Sequence, residues 1–319
     1  MAEFRILVIR LSSMGDVIHT LPAVASLKHS FPRSYLTWLV RPRWAPLLAG
    51  NPYVDEVIPV ERSISASWAE ARRLRSHHFD MAVDFQGLIQ TALLATAARP
   101  NKLVGFDCAH VRERLAALFY SSEVPTQAAH IVEQNLELAA GAGAMNLLRT
   151  FPLPHGEPEG TLPAGRFLLA SPFAGWGSKQ WPLEYWSQLR GMLELPLVVN
   201  GPPSSEAELR KICGAHVHLS GIPGLIDATR RAHAVIGVDS GPLHLAAALG
   251  RPGVAIFGPT DPDRNGPYGG TIRVLRSPDA PTDYRRHAEP HASMLAIPPV
   301  RVAQTLAAVL EATSTGCTA

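Results

Sequence analysis

Cysteine, net charge and long apolar runs are all scarce in this chain, and each scarcity disfavours a class of protein. The 319 residues include three cysteines, Cys108, Cys213 and Cys317, and no two of them form a CxxC pair. A disulfide framework and a cysteine zinc site are therefore not expected. The formal net charge is +2, far from the basic excess of a nucleic-acid-binding protein, so no nucleic-acid partner is predicted.

Targeting and membrane signals are also missing from the sequence. No apolar run approaches the roughly 18–20 residues that a membrane-spanning helix needs. The N-terminal MAEFRILVIRL lacks the separate basic region, apolar core and cleavage site of a secretory signal. With 46% hydrophobic residues and a length suited to about two domains, the chain is predicted to be a cytoplasmic globular enzyme.

Short apolar runs alternate with helix-length segments from end to end, which predicts βαβ units and parallel sheets. The predicted strands of the first half are Arg5–Arg10, Tyr35–Val40, Glu56–Val60, Met81–Phe85 and Leu103–Gly105. Those of the second half are Phe167–Ser171, Leu197–Asn200, Val217–Leu219, Ala234–Val238 and Gly253–Phe257. The predicted helices are Val17–His29, Trp68–His77, Leu183–Leu193, Ser204–Cys213 and Pro242–Leu249.

The segment Phe151–Gly165 contains four prolines and three glycines, a density of helix and strand breakers that indicates a domain linker. We therefore predict an α/β protein with two doubly wound parallel-sheet domains, residues 1–155 and 156–319. A long surface loop within one domain is the alternative. In this class ligands bind at the carboxyl ends of the strands, so two such domains facing one another would bind them in a central cleft.

A polar turn, Ser12–Asp16, follows the first predicted strand and opens the first helix. Gly15 would allow a tight turn, and Pro22 would either kink the helix or mark its true first turn. Asp16 would stand beside the backbone N–H groups of a helix N-terminus. The alternative is that Asp16, Ser12 or Ser13 simply caps this helix. The turn contains neither GxGxxG nor the GxxxxGK[ST] of a P-loop.

Residues 239–261 give the strongest signal in the sequence. Asp239, Ser240 and Gly241 follow a predicted strand, and a helix with His244 in its first turn comes next. A helix N-terminus supplies unpaired N–H groups that can hold a phosphate. The next strand also ends in a polar turn, residues 258–261, which includes Thr260. Because adjacent parallel strands end at one edge, the two turns are expected to line one pocket.

Lys179 follows the glycine-containing loop Gly175–Gly177 and can neutralise a diphosphate leaving group as a point charge. Taken alone, however, a lysine in such a position is more often a solvated surface residue. The nearby Trp181 and Trp186 are predicted to be packing residues rather than stacking platforms for a base.

These motifs together carry a family resemblance that covers nearly the whole chain in the right order. The segments SSMGDVIHTLPAVASLK, FDMAVDFQGLIQTALLA, KQWPLEYW and GVDSGPLHLAAALGRPGVAIFGPTDP resemble the lipopolysaccharide heptosyltransferases of glycosyltransferase family 9. The resemblance implies a GT-B architecture, with an acceptor-binding first domain and a nucleotide-sugar-binding second domain. It also implies inverting transfer of L-glycero-D-manno-heptose from ADP-heptose to an inner-core sugar, Kdo or heptose, with no essential metal or other cofactor.

Carried over by position, the resemblance implies a role for each candidate residue. Asp16 looks like the general base, and one carboxylate suffices because the diphosphate is already a good leaving group. Lys179 looks like the diphosphate-binding lysine, and Asp239 would hold heptose hydroxyls. The remaining donor-side candidates are Ser240, Gly241, His244, Glu206 and Thr260, and the acceptor-side candidates are Ser12, Ser13, Gly15, Arg112 and Arg114.

The sequence departs from the family pattern in two places. Ala174–Gly177 lack the hydroxyl residues that members often carry before the lysine, so part of the donor contact must be made differently. The C-terminal stretch TDYRRHAEPHASMLAI also lacks the cysteines found in many members. A GT-B enzyme using another nucleotide sugar, an epimerase, and a non-catalytic nucleotide-sugar-binding homologue are the alternative functions.

Two further groups of side chains lie outside these motifs. His287 and His291 have i, i+4 spacing, but Pro290 lies between them and no HExxH pattern occurs, so metal binding there is not expected. Arg72, Arg73 and Arg75 form a basic face. Solvation is the simplest interpretation, and peripheral contact with the anionic inner membrane, which would suit a lipid-anchored lipopolysaccharide-core acceptor, is the functional one.

Overall fold

The structure, a computed structural model, describes residues 3–62, 70 and 72–315 of the chain. The chain divides into two compact units, Met1–Pro154 and His155–Ala319. The predicted helix Trp68–His77 lies partly outside the described residues. Of its described part, residues 72–74 are helical and Arg75–His77 form one 3-10 turn.

The first unit contains a six-stranded parallel sheet in the order β3-β2-β1-β4-β5-β6. Its strands are β1 (Phe4–Ile9), β2 (Ser34–Val40), β3 (Glu56–Pro59), β4 (Met81–Asp84), β5 (Lys102–Phe106) and β6 (Ser122–Val124). Its helices are α1 (Met14–Ser30), α2 (Ile89–Ala97) and α3 (Ile131–Gly141), with 3-10 helices at Pro42–Leu48 and Arg114–Phe119.

The second unit repeats this arrangement with the order β12-β11-β10-β7-β8-β9. Its strands are β7 (Leu168–Ser171), β8 (Leu197–Gly201), β9 (His216–Leu219), β10 (Ala234–Val238), β11 (Gly253–Phe257) and β12 (Ile272–Arg276). Its helices are α4 (Leu183–Gly191), α5 (Glu206–Leu209), α6 (Ile222–Arg231), α7 (Gly241–Ala248), α8 (Pro262–Asn265), α9 (Ala292–Leu295) and α10 (Pro299–Thr315), with 3-10 turns at Gly177–Lys179 and Pro203–Ser205.

The core of the second unit shows why these apolar runs form central strands. Successive side chains of a strand point to opposite faces of the sheet, and both faces are covered here. Leu168 and Ala170 of β7 therefore join one buried hydrophobic cluster, whereas Phe167 and Leu169 join another. Trp181 and Trp186 are buried in the first cluster with their rings edge to face, which confirms that they are packing residues.

The predicted fold class, two doubly wound parallel α/β sheets, is confirmed, while several element bounds differ. The predicted helix Ser204–Cys213 is reduced to α5, because Pro202 and Pro203 delay its start and the chain turns again at Gly214, whose φ is +74°. Strands β6 and β12 and helices α2, α3, α6, α8, α9 and α10 were not predicted.

The strand order positions the candidate site. In each sheet the order reverses direction at one point, between β1 and β4 in the first unit and between β7 and β10 in the second. We call such a point the switch point of the sheet. Chain segments leaving the two strands there turn to opposite faces of the sheet, which opens a crevice at its carboxyl edge. Among the described residues, no helix is long and apolar enough to cross a membrane.

Candidate active site

Asp16 lies at the switch point of the first sheet, in the first turn of α1, directly after β1. Its Oδ2 accepts hydrogen bonds from the Ser13 backbone N–H at 2.7 Å and from the Ser13 hydroxyl at 3.0 Å. Since Ser13 is the N-cap residue, Asp16 does contribute to capping, as the alternative interpretation holds. Capping occupies only one of its two carboxylate oxygens.

The other oxygen of Asp16 is bound by Arg10, a residue that the sequence analysis did not single out. Arg10 Nη2 lies 2.9 Å from Asp16 Oδ1, and Arg10 Nη1 donates to the Phe85 carbonyl at the end of β4. Arg10 is buried, whereas the Asp16 side chain keeps 31% of its surface exposed. A substrate hydroxyl can therefore reach the carboxylate while the arginine orients it from within.

The pKa of Asp16 lies below the ordinary aspartate value of 3.8. Desolvation by burial acts to raise this pKa, but the charge of Arg10 and the two Ser13 hydrogen bonds outweigh it. The positive charge of Arg112 also contributes to the lowering, which links this acceptor-side candidate to Asp16. Asp16 is thus ionised at neutral pH, the state that a general base requires.

A buried carboxylate supports the loop before Asp16 from the neighbouring strand. Asp84, at the end of β4, accepts hydrogen bonds from the backbone N–H groups of Gln86 and Gly87 and from the hydroxyls of Thr91 and Tyr120, at 2.9–3.2 Å. Gly87 has a φ of +67°, which this tight turn requires. The turn positions the Gln86 side chain at the carboxyl edge of the sheet.

Gln86 transmits that position to the loop at the end of β1. Its Oε1 accepts from the backbone N–H groups of Leu11 at 3.0 Å and Ser12 at 3.1 Å. Gly15 lies within the first turn of α1 rather than in a tight turn before it, so the tight turn predicted at this glycine is wrong, while its role on the acceptor side stays a prediction. Pro22 is inside α1, and the interpretation that it marks the first turn is also wrong, since the helix begins at Met14.

The second unit brings Lys179, Asp239, His244 and Thr260 together at its own switch point. Lys179 Nζ lies 2.9 Å from Asp239 Oδ2, and the Thr260 hydroxyl donates to that oxygen at 2.7 Å. His244 Nε2 lies 3.4 Å from Asp239 Oδ1. The turns after β10 and β11 thus meet at Asp239, while the pocket that they were expected to line stays a prediction. Lys179 is mostly buried, which contradicts its interpretation as a solvated surface lysine.

Asp239 is ionised although only 5% of its surface is exposed. Burial acts to raise the pKa of Asp239, but the hydrogen bond and charge of His244 and the charge of Lys179 lower it well below the ordinary range. A buried carboxylate without such partners would be neutral. The cluster is therefore an ion pair with hydrogen-bonding side chains around it, able to exchange contacts with a polar ligand.

Ser240 is the N-cap residue of α7, and Gly241 is its first helical residue. The Ser240 hydroxyl oxygen is buried and has no hydrogen-bond partner among the described residues. A buried hydroxyl without a partner is costly. At the N-terminus of an eight-residue helix, beside Asp239, this hydroxyl is suited to bind an anionic ligand.

Trp176, in the loop Ala174–Gly177 that lacks hydroxyl residues, contacts Lys179. The Lys179 ammonium lies 4.5 Å from the centroid of its indole ring. This cation–π contact is worth about 0.5–2 kcal/mol and holds the lysine in position. The contact had no sequence signal, because a tryptophan before a lysine is equally compatible with packing.

Several candidates lie away from these clusters. Glu206 is half-buried and pairs with Arg210 at 2.6 Å, and Arg114 is exposed at the start of a 3-10 helix. His287 lies 3.7 Å from Asp283, and His291 caps α9 by accepting from the Ser293 N–H. No group of three or more His, Cys, Asp or Glu side chains in the described part of the chain could hold a metal ion.

Comparison with known proteins gives this arrangement a family. Residues 67–293 match the sequence profile described as "Glycosyltransferase family 9 (heptosyltransferase)". The chain has the two Rossmann-like domains of the GT-B class of glycosyltransferases, and it belongs to glycosyltransferase family 9. The resemblance read from the sequence is confirmed.

Individual relatives extend over most of the chain. Lipopolysaccharide heptosyltransferase 1 of Escherichia coli is 31% identical over 311 residues, covering 86% of this chain and 94% of the relative. The enzyme of the same name from Pseudomonas aeruginosa is 32% identical over 295 residues, covering 83% and 81%. The structure of E. coli heptosyltransferase WaaC with ADP-2-deoxy-2-fluoro heptose superposes with a TM-score of 0.77 at 26% identity, covering 95% of this chain and 98% of WaaC.

Proposed function

We propose that this protein transfers L-glycero-D-manno-heptose from ADP-heptose to an inner-core sugar of lipopolysaccharide, with inversion at the anomeric carbon. The observation that carries the proposal is the pair of ionised, cation-bound aspartates, Asp16 and Asp239, one at each switch point. One carboxylate acts on the acceptor and the other orients the donor. We assign residues 1–155 to acceptor binding and 156–319 to nucleotide-sugar binding.

On the acceptor side, Asp16 takes the proton of the attacking hydroxyl. The oxygen of that hydroxyl forms the new bond to the anomeric carbon as the bond from this carbon to the diphosphate breaks, and ADP leaves with the bonding electrons. Arg10 holds Asp16 in a fixed orientation. The Ser13 hydroxyl lies 3.0 Å from Asp16 Oδ2 and is positioned to contact the same sugar. Arg112 adds positive charge for an anionic acceptor.

On the donor side, the leaving diphosphate is stabilised without a metal. Lys179 supplies a cation, and the Ser240 hydroxyl and the N-terminus of α7 supply hydrogen-bond donors. Asp239 accepts from sugar hydroxyls, while Thr260 and His244 keep it in place. The WaaC structure with an ADP-heptose analogue supports ADP-heptose as the donor.

We assign the acceptor to the cytoplasmic leaflet of the inner membrane, as a lipid-anchored core sugar. An exposed surface of the first unit supports membrane contact, because Leu115 and Leu118 are 60% and 79% exposed on the 3-10 helix that Arg114 begins. Apolar side chains beside arginines suit an anionic lipid surface. This surface is better suited to such contact than the basic face of Arg72, Arg73 and Arg75, because it also carries exposed apolar side chains.

Transfer from ADP-heptose to a panel of truncated core acceptors tests the proposal. We expect one acceptor to gain a single heptose, detected by mass spectrometry, with the product anomer assigned by NMR. A thermal-shift comparison of ADP with UDP, GDP and CMP should show stabilisation by ADP above the others. Stabilisation by a different nucleotide, with no transfer from ADP-heptose, would indicate another sugar donor. ADP binding without transfer to any acceptor would indicate a non-catalytic homologue.

A further inference from the structure

Trp176 lies beside two cationic side chains. Lys179 Nζ is 4.5 Å from the centroid of the indole ring, and the guanidinium carbon of Arg286 is 5.4 Å from it. The two positive charges are thus within about 10 Å of each other, roughly one Debye length in physiological salt. Like charges repel at this separation, so their shared position is favourable when an anion lies between or beside them.

Arg286 belongs to residues 277–291, which cross the carboxyl edge of the second sheet and are named here the basic segment. Hydrogen bonds fix it on both sides of Arg286. The Asp283 N–H donates to the Pro259 carbonyl at 2.7 Å, and the His287 carbonyl accepts from the Ser178 N–H at 3.0 Å. Arg286 is therefore held next to the loop that carries Lys179, although its side chain is exposed.

Gly177 shows how closely the basic segment approaches that loop. A Cβ atom built on Gly177 would lie 1.6 Å from the carbonyl oxygen of Ala288, so only glycine fits there. The His291 N–H also donates to the Ser178 carbonyl at 3.2 Å. The loop and the basic segment are thus in close backbone-to-backbone contact. This contact sets the positions of Lys179 and Arg286, the two cations beside Trp176.

The charges explain why a second cation is needed. Lys179 is already paired with Asp239, so this pair carries no net charge toward a diphosphate. Arg285 lies 3.6 Å from the Asp283 carboxylate. Arg286, in contrast, has no carboxylate partner among the described residues. Its planar guanidinium can donate two hydrogen bonds to one phosphate group. Stacking on an aromatic ring orients the guanidinium before the ligand binds.

We propose that Arg286, held over Trp176 by the basic segment, is a second diphosphate-binding cation of the donor site. This inference rests on the proposed function and adds a residue to it. Arg286 binds the phosphate groups of the nucleotide sugar alongside Lys179, and it supplies the positive charge that the Lys179–Asp239 pair lacks. The nucleoside itself makes no contact with it.

Calorimetric titration of the full-length protein with ADP, adenosine and inorganic pyrophosphate tests this inference. For Arg286→Gln we expect the Kd of ADP and of pyrophosphate to rise about tenfold, the effect of one charge-assisted contact. The affinity for adenosine should stay unchanged, and the salt dependence of ADP binding should become weaker. Arg285→Gln is the matched control, with wild-type affinities. The Kd values of Arg286→Lys for ADP and pyrophosphate should lie between those of Arg286→Gln and wild type, because lysine keeps the charge but cannot form the bidentate contact.

Two results would overturn the inference while leaving the proposed function intact. One is wild-type affinity of Arg286→Gln for both ADP and pyrophosphate, with heptose transfer from ADP-heptose observed. The other is unchanged ADP affinity with a raised KM for the acceptor, which would place an acceptor anion on Arg286. Failure of the proposed function is distinct, since the wild-type protein itself would then transfer no heptose from ADP-heptose to any acceptor. Melting temperatures of the variants verify folding.

Discussion

Lys179 and Asp239 form a buried ion pair, with 2.9 Å between Nζ and Oδ2, across the switch point of the second sheet. Sixty positions separate the two residues in sequence, and the adjacent strands β7 and β10 bring them together. The pair therefore contributes to the stability of the fold as well as to the proposed donor site. A substitution there is expected to change stability and ligand affinity together.

We predict that Lys179→Ala destabilises the fold by about 3 kcal/mol, because removing one partner leaves a buried charge without compensation. Losing Lys179 also raises the pKa of Asp239 relative to wild type, so the destabilisation should be larger at pH 7, where Asp239 is ionised, than at pH 3. ADP affinity and heptose transfer should fall as well. Urea denaturation at both pH values measures the effect. Lys211→Ala, which removes an exposed lysine paired with Glu208, is the control and should change the free energy of unfolding by less than about 1 kcal/mol.

We predict that Asp16→Asn lowers turnover by about 10²–10⁴-fold, because the amide cannot take the proton of the acceptor hydroxyl. The variant should also lose about 1–3 kcal/mol of stability, since the buried Arg10 loses its carboxylate. Donor affinity should not change. Steady-state kinetics with ADP titration separates these effects. Turnover near the wild-type rate would show that Asp16 only caps helix α1 and pairs with Arg10, and that another residue is the base.

Acid should destabilise the protein through Asp16 and Asp239, whose pKa values are both lowered in the folded state. A lowered pKa means that the stabilisation is present above the unfolded value, near 3.8, and is lost as pH falls through the folded pKa. Between pH 7 and pH 2 we expect the stability of Asp239→Asn to depend less steeply on pH than that of wild type. Parallel curves for the two proteins would contradict the lowered pKa of Asp239.

Tyr120→Phe should destabilise the first unit by about 1–3 kcal/mol, because it removes one hydrogen-bond donor from the buried Asp84 carboxylate. Gly105→Ala tests the same packing, since a Cβ there would lie 2.2 Å from the Tyr120 ring and would displace it. Thermal unfolding measures both variants. If Asp84 positions the loop through Gln86, turnover should fall at temperatures where the variants remain folded.

The sequence predicted the fold largely because buried parallel strands are apolar throughout. Strands such as β10 and β11 appear as uninterrupted apolar runs, and their order along the chain indicates parallel sheets. β6 was not predicted because Ser122–Val124 has only three residues and no apolar run. α5 was overestimated because the charged pattern of Ser204–Cys213 resembles a helix that local turns interrupt.

The candidate site was predictable where a polar residue follows a strand. Asp16, Asp239 and Thr260 have such positions, and parallel topology then groups them by unit. Arg10, Gln86 and Arg286 were not found, because their roles depend on contacts with residues distant in sequence. Gln86, for example, contacts Ser12 across 74 positions, and Arg286 contacts Trp176.

The two hydrophobic clusters of the second unit, one on each face of its sheet, contain only residues of that unit. The two clusters are thus built entirely from side chains that the second unit itself supplies. Such independence lets mutations accumulate in one half without repacking the other. Under the proposed assignment of acceptor binding to the first unit and nucleotide-sugar binding to the second, acceptor preference can therefore change without changes in nucleotide recognition, and chimeras joined near Pro154 are a practical route to new specificities.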